Sequence, residues 1–279
     1  MTRRRLAEGI LTYSVLAVIL IAVATPFLFM VLTSLKTNLD TLEAPPNLRI
    51  FDWDTIRQNY TEVLRERNFF EYTRNSIVIV FGATLIALVL GTPAAYGFSR
   101  FSFRGSGDLA FWILSNRFLP VIAIVIPISR IVAAAGALDT YPGLIVPYVA
   151  LELPLVVWIM RAFFDDISPE IDEAAMADGC GRWAALGRII LPLAVPGLVT
   201  TAIFAAIFTW NEFLMGLFIV TTAASQTVPV GASGLLTMER SIEWNVTSTV
   251  GVVTIVPVLV FSLLVQRHIV RGLTVGAVK

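Results

Sequence analysis

Long apolar runs alternate with shorter polar segments along the whole chain. A bilayer core of about 30 Å is crossed by a helix of roughly 20 apolar residues. Runs of that length and character occur six times. Several contain prolines, which membrane helices tolerate because neighbouring groups satisfy the freed carbonyls. The pattern predicts an all-α membrane protein with six transmembrane helices, at residues 10–32, 75–98, 109–133, 142–163, 198–220 and 248–266.

The distribution of positive charge predicts the orientation of these spans. Lys and Arg are concentrated in the cytoplasmic loops of membrane proteins. If the N-terminus is cytoplasmic, eleven of the twenty basic residues fall on that side, and the long outer loop 33–74 balances its six with seven acids. We therefore expect both termini, residues 1–9 and the tail 267–279, to be cytoplasmic. The first apolar run has no clear cleavage site and is interpreted as a retained anchor, not as a cleaved signal peptide.

Composition excludes several function classes. Hydrophobic residues make up 57% of the 279 positions and charged residues 14%, far from the values of a soluble domain. The formal net charge is zero, so nothing indicates a nucleic-acid partner. A single cysteine, Cys180, and a single histidine, His268, provide neither a disulfide framework nor a metal or catalytic cluster. We expect contact with membrane lipid, no metal and no enzymatic activity.

The polar segment 165–197, between the fourth and fifth spans, has an ordered helix–turn–helix pattern. Ser168 is a suitable N-cap, Pro169 suits the first helical position, and Gly179 is the residue type that ends a helix in the left-handed conformation. Helical periodicity places four residues of the first helix on one face: Ile171, Ala174, Ala175 and Asp178. Because alanines allow another backbone to approach closely, we expect this face to fit a groove.

The run from Glu173 to Pro192 carries a specific pattern, Glu-Ala-Ala, three residues, Gly, nine residues, Ile-x-Leu-Pro. It resembles the signature loop of the inner-membrane permease subunits of binding-protein-dependent ABC importers. The resemblance implies a type I importer permease fold, in which this loop forms a coupling helix that docks into a cleft of a cytoplasmic ATPase subunit. It assigns ATPase coupling to eight residues: Glu173, Ala174, Ala175, Asp178, Gly179, Ile189, Leu191 and Pro192.

Three further stretches, residues 266–279, Thr209–Glu212 and Asn75-Ser76, resemble the MalG-type subunits of carbohydrate importers. That resemblance implies import of a carbohydrate, such as a di- or oligosaccharide, polyol or sugar derivative, across a bacterial or archaeal plasma membrane. The implied partners are a second, MalF-type permease, an ATPase dimer and an extracytoplasmic solute-binding protein. The outer loop 221–247 is expected either to contact the binding protein or to be a simple connector.

Energy for transport is expected to come from another chain. This sequence contains no Gly-x-x-x-x-Gly-Lys-[Ser/Thr] loop for ATP phosphates, so ATP and Mg²⁺ are assigned to the partner ATPase. The resemblance implies that the C-terminal tail reaches between the ATPase subunits. We therefore expect four tail residues to contact the ATPase: Gly272, Leu273, Thr274 and Lys279.

Ionisable residues inside a span are functional candidates because burying a charge in the bilayer is unfavourable. At 1.5 Å per residue, Arg117 lies ~12 Å from the inner boundary of its span and Glu152 ~15 Å from the outer boundary of the next. We hypothesise that the two side chains pair across adjacent helices, as a structural ion pair or beside the solute. Four polar or aromatic residues are candidates for a substrate path, with structural roles as the alternative: Asn116, Trp210, Asn211 and Glu212.

Three other functions are weighed against a carbohydrate importer. An ABC importer for a non-sugar solute fits the same signature loop. An ion-coupled secondary transporter usually shows internal repeats, and we find no convincing repeat here. A membrane-embedded enzyme requires a catalytic constellation that the chain lacks. The latter two also leave the pattern from Glu173 to Pro192 unexplained.

Overall fold

The computed structural model describes residues 3–43, 52–238 and 243–275, and these residues form helices without any β-strand. Three of the longer helices, Arg3–Ser34, Phe69–Arg100 and Trp244–Val275, contain one internal proline each, and Tyr141–Asp165 contains two. Single turns of π or 3₁₀ helix join some of the elements. The α-helices are α1 Arg3–Ser34, α2 Asn38–Leu42, α3 Trp53–Thr61, α4 Phe69–Arg100, α5 Ser106–Ser115, α6 Val121–Ala134, α7 Tyr141–Asp165, α8 Pro169–Ala177, α9 Arg182–Ala185, α10 Leu191–Leu193, α11 Val195–Asn211, α12 Leu214–Ile219, α13 Val228–Met238 and α14 Trp244–Val275.

Four helices of the described chain are long and apolar enough to cross a membrane by themselves: α1, α4, α7 and α14. Two further candidates are bent pairs, in which Ser106–Phe118 meets Val121–Ala134 at 95° and Arg182–Leu193 meets Val195–Asn211 at 78°. The all-α prediction is therefore confirmed for the described residues. Six spans are reached if each bent pair is one span.

The predicted third span, 109–133, is not one continuous helix. Leu119 has an extended backbone, with φ −67° and ψ 124°, and Pro120 caps the start of α6. A residue before proline is pushed out of the helical region because the proline ring clashes with its backbone. The predicted fifth span, 198–220, is also interrupted, since α11 ends at Asn211 and Glu212 is extended. Hydropathy located both apolar regions but not these breaks.

The described residues form two compact units, one comprising Met1–Phe70 and Gly234–Pro257 and the other Glu71–Ser233 and Val258–Lys279. In the first unit, buried Asn59 organises the end of α1. Its amide donates to the carbonyls of Ser34 and Lys36, at 3.0 and 2.9 Å, and its oxygen accepts from the amide of Asn245 at 3.1 Å. This network joins α1, α3 and α14 through side-chain hydrogen bonds.

The second unit has its core around α7. Buried apolar side chains of α4, α6, α7, α11 and α12 pack together there, and the largest fully buried ones include Tyr148, Met160 and Phe164 of α7. Helices α4 and α7 approach closely at Gly91, where an added Cβ would lie 2.5 Å from Cγ1 of Val156. Small residues permit this spacing between membrane helices. The packed core positions both the loop after α7 and an internal cavity.

Candidate functional site

Helix α8 begins and ends where the sequence predicts. The hydroxyl of Ser168 accepts the backbone N–H of Glu170 at 3.3 Å, and Pro169 occupies the first turn. Gly179 has φ +88°, the N–H of Gly179 donates to Met176 O, and the N–H of Cys180 donates to Ala175 O, both at 3.0 Å. These two bonds form a Schellman C-terminus. The helix is thus a preformed element with defined caps at both ends.

The single groove-fitting face predicted for α8 is divided in the structure. Ala175 is buried and Ile171 packs against the core, whereas Ala174 and Asp178 are exposed. The reason is that Ile171 and Ala175, four positions apart, form the inward apolar stripe. The outward surface instead comprises Glu173, Ala174, Ala177 and Asp178. Of the predicted coupling residues on α8, Glu173 and Ala174 are accessible to a partner, and Ala175 is not.

A buried ion pair that the sequence did not reveal attaches α8 to α4. The carboxylate of Asp172 lies 2.8 Å from Nε of Arg100 and accepts the hydroxyl of Tyr96 at 2.5 Å. Arg100 appeared in the sequence only as one of many cytoplasmic charges. One signal was available: Asp172 is three positions from Ala175, on the inward side of an amphipathic helix, where a carboxylate needs a partner.

The second half of the loop is less regular. A π-helical turn, Leu186–Ile190, separates α9 from α10. The predicted coupling residues Ile189 and Leu191 are partly buried and Pro192 is exposed. Trp183 is 76% exposed, and the guanidinium of Arg182 lies 4.7 Å from the ring centroid of Phe101. Trp183 and Met176 thus add exposed apolar surface beside α8 that the sequence interpretation missed.

A cavity of about 920 Å³ lies among α4, α5, α6, α7 and α11 in the second unit. Arg117 and Glu152 both line it, together with the aromatic residues Trp112, Tyr148 and Phe208. The wall is therefore mostly apolar with a few ionisable groups, the arrangement typical of small-molecule pockets. The aromatic members were not singled out in the sequence.

Arg117 and Glu152 both line this cavity, but the ion pairs of the described residues do not include one between them. Arg117 donates to the carbonyl of Leu151 at 3.2 Å, and its guanidinium lies 3.9 Å from the ring centroid of Phe208. Glu152, 1% exposed, accepts the hydroxyl of Thr209, and its Oε2 atom has no protein partner. The hypothesis of a direct pair assumed one straight third span, but Arg117 lies in the 3₁₀ turn at the break after α5.

The four predicted substrate-path residues are not brought together as one set. Asn116 and Glu212 line the cavity, whereas Trp210 is buried away from it. Asn211 is exposed and donates to the carbonyl of Ile207 at 2.7 Å. The carboxylate of Glu212 accepts from the N–H groups at the start of α12, so part of its role is to cap that helix.

Two predicted features fall at the edge of what the structure describes. Gly272, Leu273 and Thr274 belong to the helical backbone of α14, and Lys279 lies outside the described residues. In the loop 221–247, residues 239–242 also lie outside them. The proposed ATPase contact of the tail remains a prediction.

The start of the 221–247 loop is held by side chains from neighbouring elements. Asp139 accepts the backbone N–H groups of Thr221 and Thr222 at 2.7 and 2.8 Å. Burial raises the pKa of Asp139, but the hydrogen bond donated by the Thr221 hydroxyl, together with those from the two backbone N–H groups, outweighs burial and leaves the pKa below its ordinary value. The amide of Asn75 donates to the carbonyls of Ala224 and Gln226 at 3.0 and 3.1 Å. The sequence indicated Asn75 only through the resemblance of Asn75-Ser76 to the MalG-type subunits. The start of this loop is therefore attached to α4 and to the turn before α7, and its contact with a binding protein remains a prediction.

Several apolar helices, an internal cavity and a capped helix exposed between two of the candidate spans define a multi-pass membrane protein of the transporter class. A family model described as the binding-protein-dependent transport system inner membrane component matches residues 87–275. The chain belongs to this family and is a non-catalytic permease subunit of an ABC importer, which works with an ATPase and a solute-binding protein. The secondary-transporter and enzyme alternatives are thereby set aside.

Known relatives agree with this assignment. The chain is 40% identical to the trehalose transport system permease protein SugB of Mycobacterium tuberculosis, over 79% of this chain and 81% of that protein. It is 34% identical to the trehalose/maltose transport system permease protein MalG of Thermococcus litoralis, over 91% of each. A crystal structure of a bacterial ABC transporter that imports alginate contains a chain that matches 96% of this one with a TM-score of 0.79 at 21% identity. That structural likeness supports the fold.

Proposed function

We propose that this chain is the MalG-type permease of a carbohydrate importer in a bacterial or archaeal plasma membrane. Its partners are a MalF-type permease, a dimer of ATPase subunits that bind ATP and Mg²⁺, and an extracytoplasmic solute-binding protein. The chain contributes six spans with both termini in the cytoplasm. The proposal for the substrate is supported by relatives named as permeases for trehalose and for trehalose and maltose.

The coupling role of α8 rests on one observation: a rigidly held helix presents an exposed polar and small-residue face. Glu173 offers a carboxylate and Ala174 a surface that a partner backbone can approach, while Gly179 fixes the turn. Exposed Trp183 and Met176 add apolar area, and large apolar side chains are common anchors of protein interfaces. Docking of the ATPase on this face would transmit its closure to the spans.

This role is tested in the full transporter, reconstituted in vesicles with the co-encoded ATPase, second permease and binding protein. Glu173→Ala and Trp183→Ala should each weaken ATPase docking by about tenfold or more, the effect of losing ~1.4 kcal/mol of interface energy. ATPase stimulation by the liganded binding protein should fall in parallel. Trp158→Ala is a matched control, because Trp158 is an exposed tryptophan on α7 outside the loop. Unchanged docking in both variants would refute the assignment of this face.

The cavity is the best candidate for a solute contact in this chain. Aromatic rings suit the apolar faces of sugar rings, and Glu152, Glu212 and Asn116 offer groups for hydroxyls. The Oε2 atom of buried Glu152 accepts no protein hydrogen bond, although Thr84 and Arg117 lie near this carboxylate, and it therefore has capacity to accept a hydroxyl of a polar ligand at this wall. This assignment replaces Trp210 and Asn211 by the aromatic lining residues Trp112 and Phe208.

The substrate assignment has a separate test. Ligand binding by the purified co-encoded binding protein, measured by calorimetry against di- and oligosaccharides, polyols and non-sugar solutes, identifies the substrate class. Uptake of that ligand by Phe208→Ala transporters should fall about two- to tenfold, because an aromatic contact is worth ~0.5–1.5 kcal/mol. Binding of only non-sugar solutes would overturn the carbohydrate proposal. It would leave the permease assignment unaffected.

A further inference from the structure

The attachment of α8 to the spans is concentrated in one arginine side chain. Arg100 is the last residue of α4, and its side chain and that of Asp172 are only 7% and 8% exposed. Nε of Arg100 donates to Oδ2 of Asp172 at 2.8 Å. Tyr96, one turn earlier on α4, donates its hydroxyl to Oδ1 of the same carboxylate at 2.5 Å. Both oxygens of Asp172 are therefore held by α4.

The same guanidinium also holds the end of α7. Its two terminal nitrogens donate to the carbonyl of Phe164 at 2.9 Å and to that of Ile167 at 2.8 Å. Phe164 lies in the last turn of α7, where a cation is favourable, and Ile167 lies in the turn that follows; the Phe164 carbonyl also accepts the N–H of Ile167 at 3.1 Å. Arg100 thus binds three elements at once: the end of α4, the end of α7 with its following turn, and α8. The rigid fork of arginine donors makes this possible, whereas a lysine ammonium lacks that geometry.

The ion pair of Arg100 and Asp172 differs from a nearby pair in its burial and in the elements that it joins. Arg161 and Asp165 lie on the same helix, α7, 3.6 Å apart, with side chains 33% and 50% exposed. Such a surface pair is screened and contributes little. The pair of Arg100 and Asp172 is nearly water-free and joins separate elements, so loss of either charge leaves the other buried and unpaired.

We propose that Arg100, supported by Tyr96, is the positioning residue that makes α8 move as one body with both α4 and α7. The inference rests on the proposed ATPase docking of α8 and adds the connection behind it. A displacement of α8 by the ATPase then reaches α4 through Asp172 and α7 through the two carbonyls. Without this clamp, α8 remains linked to the spans only through non-polar packing of Ile171 and Ala175 and the short connection 166–168, and ATP hydrolysis is less tightly tied to movement of both spans.

The experiment uses the complete transporter in vesicles and compares three variants with a control. Asp172→Asn removes the charge pair, Arg100→Lys keeps the charge but loses the fork, and Tyr96→Phe removes a single hydroxyl. Arg161→Ala removes the surface pair and is the matched control. Assembly, ATPase rate stimulated by the liganded binding protein, and solute imported are measured for each.

The expected result is a separation of hydrolysis from transport. Asp172→Asn and Arg100→Lys should retain ATPase docking and hydrolysis but import at least about fivefold less solute per ATP, the lower end of typical coupling between two sites. Tyr96→Phe should show a smaller loss in the same direction, and Arg161→Ala none. If Asp172→Asn and Arg100→Lys fail to assemble, the inference is tested by the ratio of imported solute to hydrolysed ATP in Tyr96→Phe. An unchanged ratio would overturn the inference, whereas failure of the docking proposal would appear separately, as unimpaired docking in both Glu173→Ala and Trp183→Ala.

Discussion

At the scale of single residues, the polar side chains of this protein act mainly on backbone groups of other elements. Asp139 is the clearest example outside the predicted spans. It adopts φ +58°, a conformation that Asp tolerates better than most residues, and its carboxylate accepts from Thr221 and Thr222. Both features act together, because the left-handed turn directs the carboxylate to the start of the 221–247 loop. The segment is held by charge-assisted hydrogen bonds.

The lowered pKa of Asp139 predicts how this attachment depends on pH. A carboxyl group whose folded pKa lies below its unfolded value stabilises the fold above the unfolded pKa, near the ordinary 3.8, and loses that contribution as the pH falls through the folded pKa. Amide hydrogen exchange of Thr221 and Thr222 should therefore be slow at neutral pH and faster at pH values below this range, relative to intrinsic rates.

A variant isolates the cause of that pH dependence. Asp139→Asn keeps a residue that tolerates positive φ but removes the titrating charge, so the protection of Thr221 and Thr222 should be weaker at neutral pH and independent of acidification. Asp166, an aspartate in the turn after α7, provides the control substitution Asp166→Asn. Equal protection in Asp139→Asn and the parent protein would show that the carboxylate charge does not hold the segment.

At the scale of helices, hydropathy and cap residues predicted the positions of most helices. They did not predict the contacts between helices that are distant in the sequence. The positions of α1, α4, α7 and α14 follow from apolar runs, and both ends of α8 follow from local residues. The 95° bend before α6 was marked by Pro120, but a proline is equally compatible with a kinked continuous span. Whether the chain bends sharply at Pro120 or continues as a kinked helix depends on packing against other helices.

In the candidate site, too, local features were predictable from the sequence and long-range contacts were not. The exposed position of Glu173 on a helix ending at Gly179 was predictable from local sequence. The partner of Asp172 was not, because Arg100 lies 72 positions earlier and competes with many other basic residues. Likewise, the cavity is assembled from five helices, so Phe208 and Arg117 become neighbours only in three dimensions.

The close approach of α4 and α7 gives a prediction for helix packing. Gly91→Ala would place a Cβ 2.5 Å from Val156 Cγ1 and 3.1 Å from its Cβ, so the Val156 side chain or one of the helices must shift. We expect a loss of about 1–3 kcal/mol of stability, the usual effect of overpacking. Gly97→Ala on the same helix is the matched control, because its Cβ meets no atom within 4 Å and alanine favours helix. Thermal unfolding of the two purified variants measures the difference, and equal midpoints would contradict the packing argument.

At the scale of the whole molecule, the chain leaves extensive apolar surface uncovered by itself. The most apolar part of α1 has none of its residues buried within the chain, and that of α14 only 17%. Surface of this size and hydropathy requires lipid or another subunit to cover it. Together with membership of an importer family, this is the expectation for one subunit of a larger membrane assembly.

The orientation of that assembly can be read from the single native cysteine. Cys180 is partly exposed and directly follows the turn at the end of α8. If both termini and the α8 loop are cytoplasmic, a membrane-impermeant maleimide should label Cys180 in inside-out vesicles and not in right-side-out ones. Bound ATPase subunits should slow this labelling, because they would cover the adjacent helix.

A reporter on the opposite side completes the test. In a Cys180→Ser background, Ala223→Cys introduces a thiol at an exposed position of the 221–247 loop. The predicted topology requires the reverse pattern for this variant, with labelling in right-side-out vesicles and none in inside-out ones. Because the two positions flank α11, labelling of both from the same side would mean that the bent pair Arg182–Leu193 and Val195–Asn211 re-enters the membrane instead of crossing it. That outcome would reduce the number of spans below six. It would also put the 221–247 loop on the same side of the membrane as α8, contrary to the orientation inferred from the basic residues.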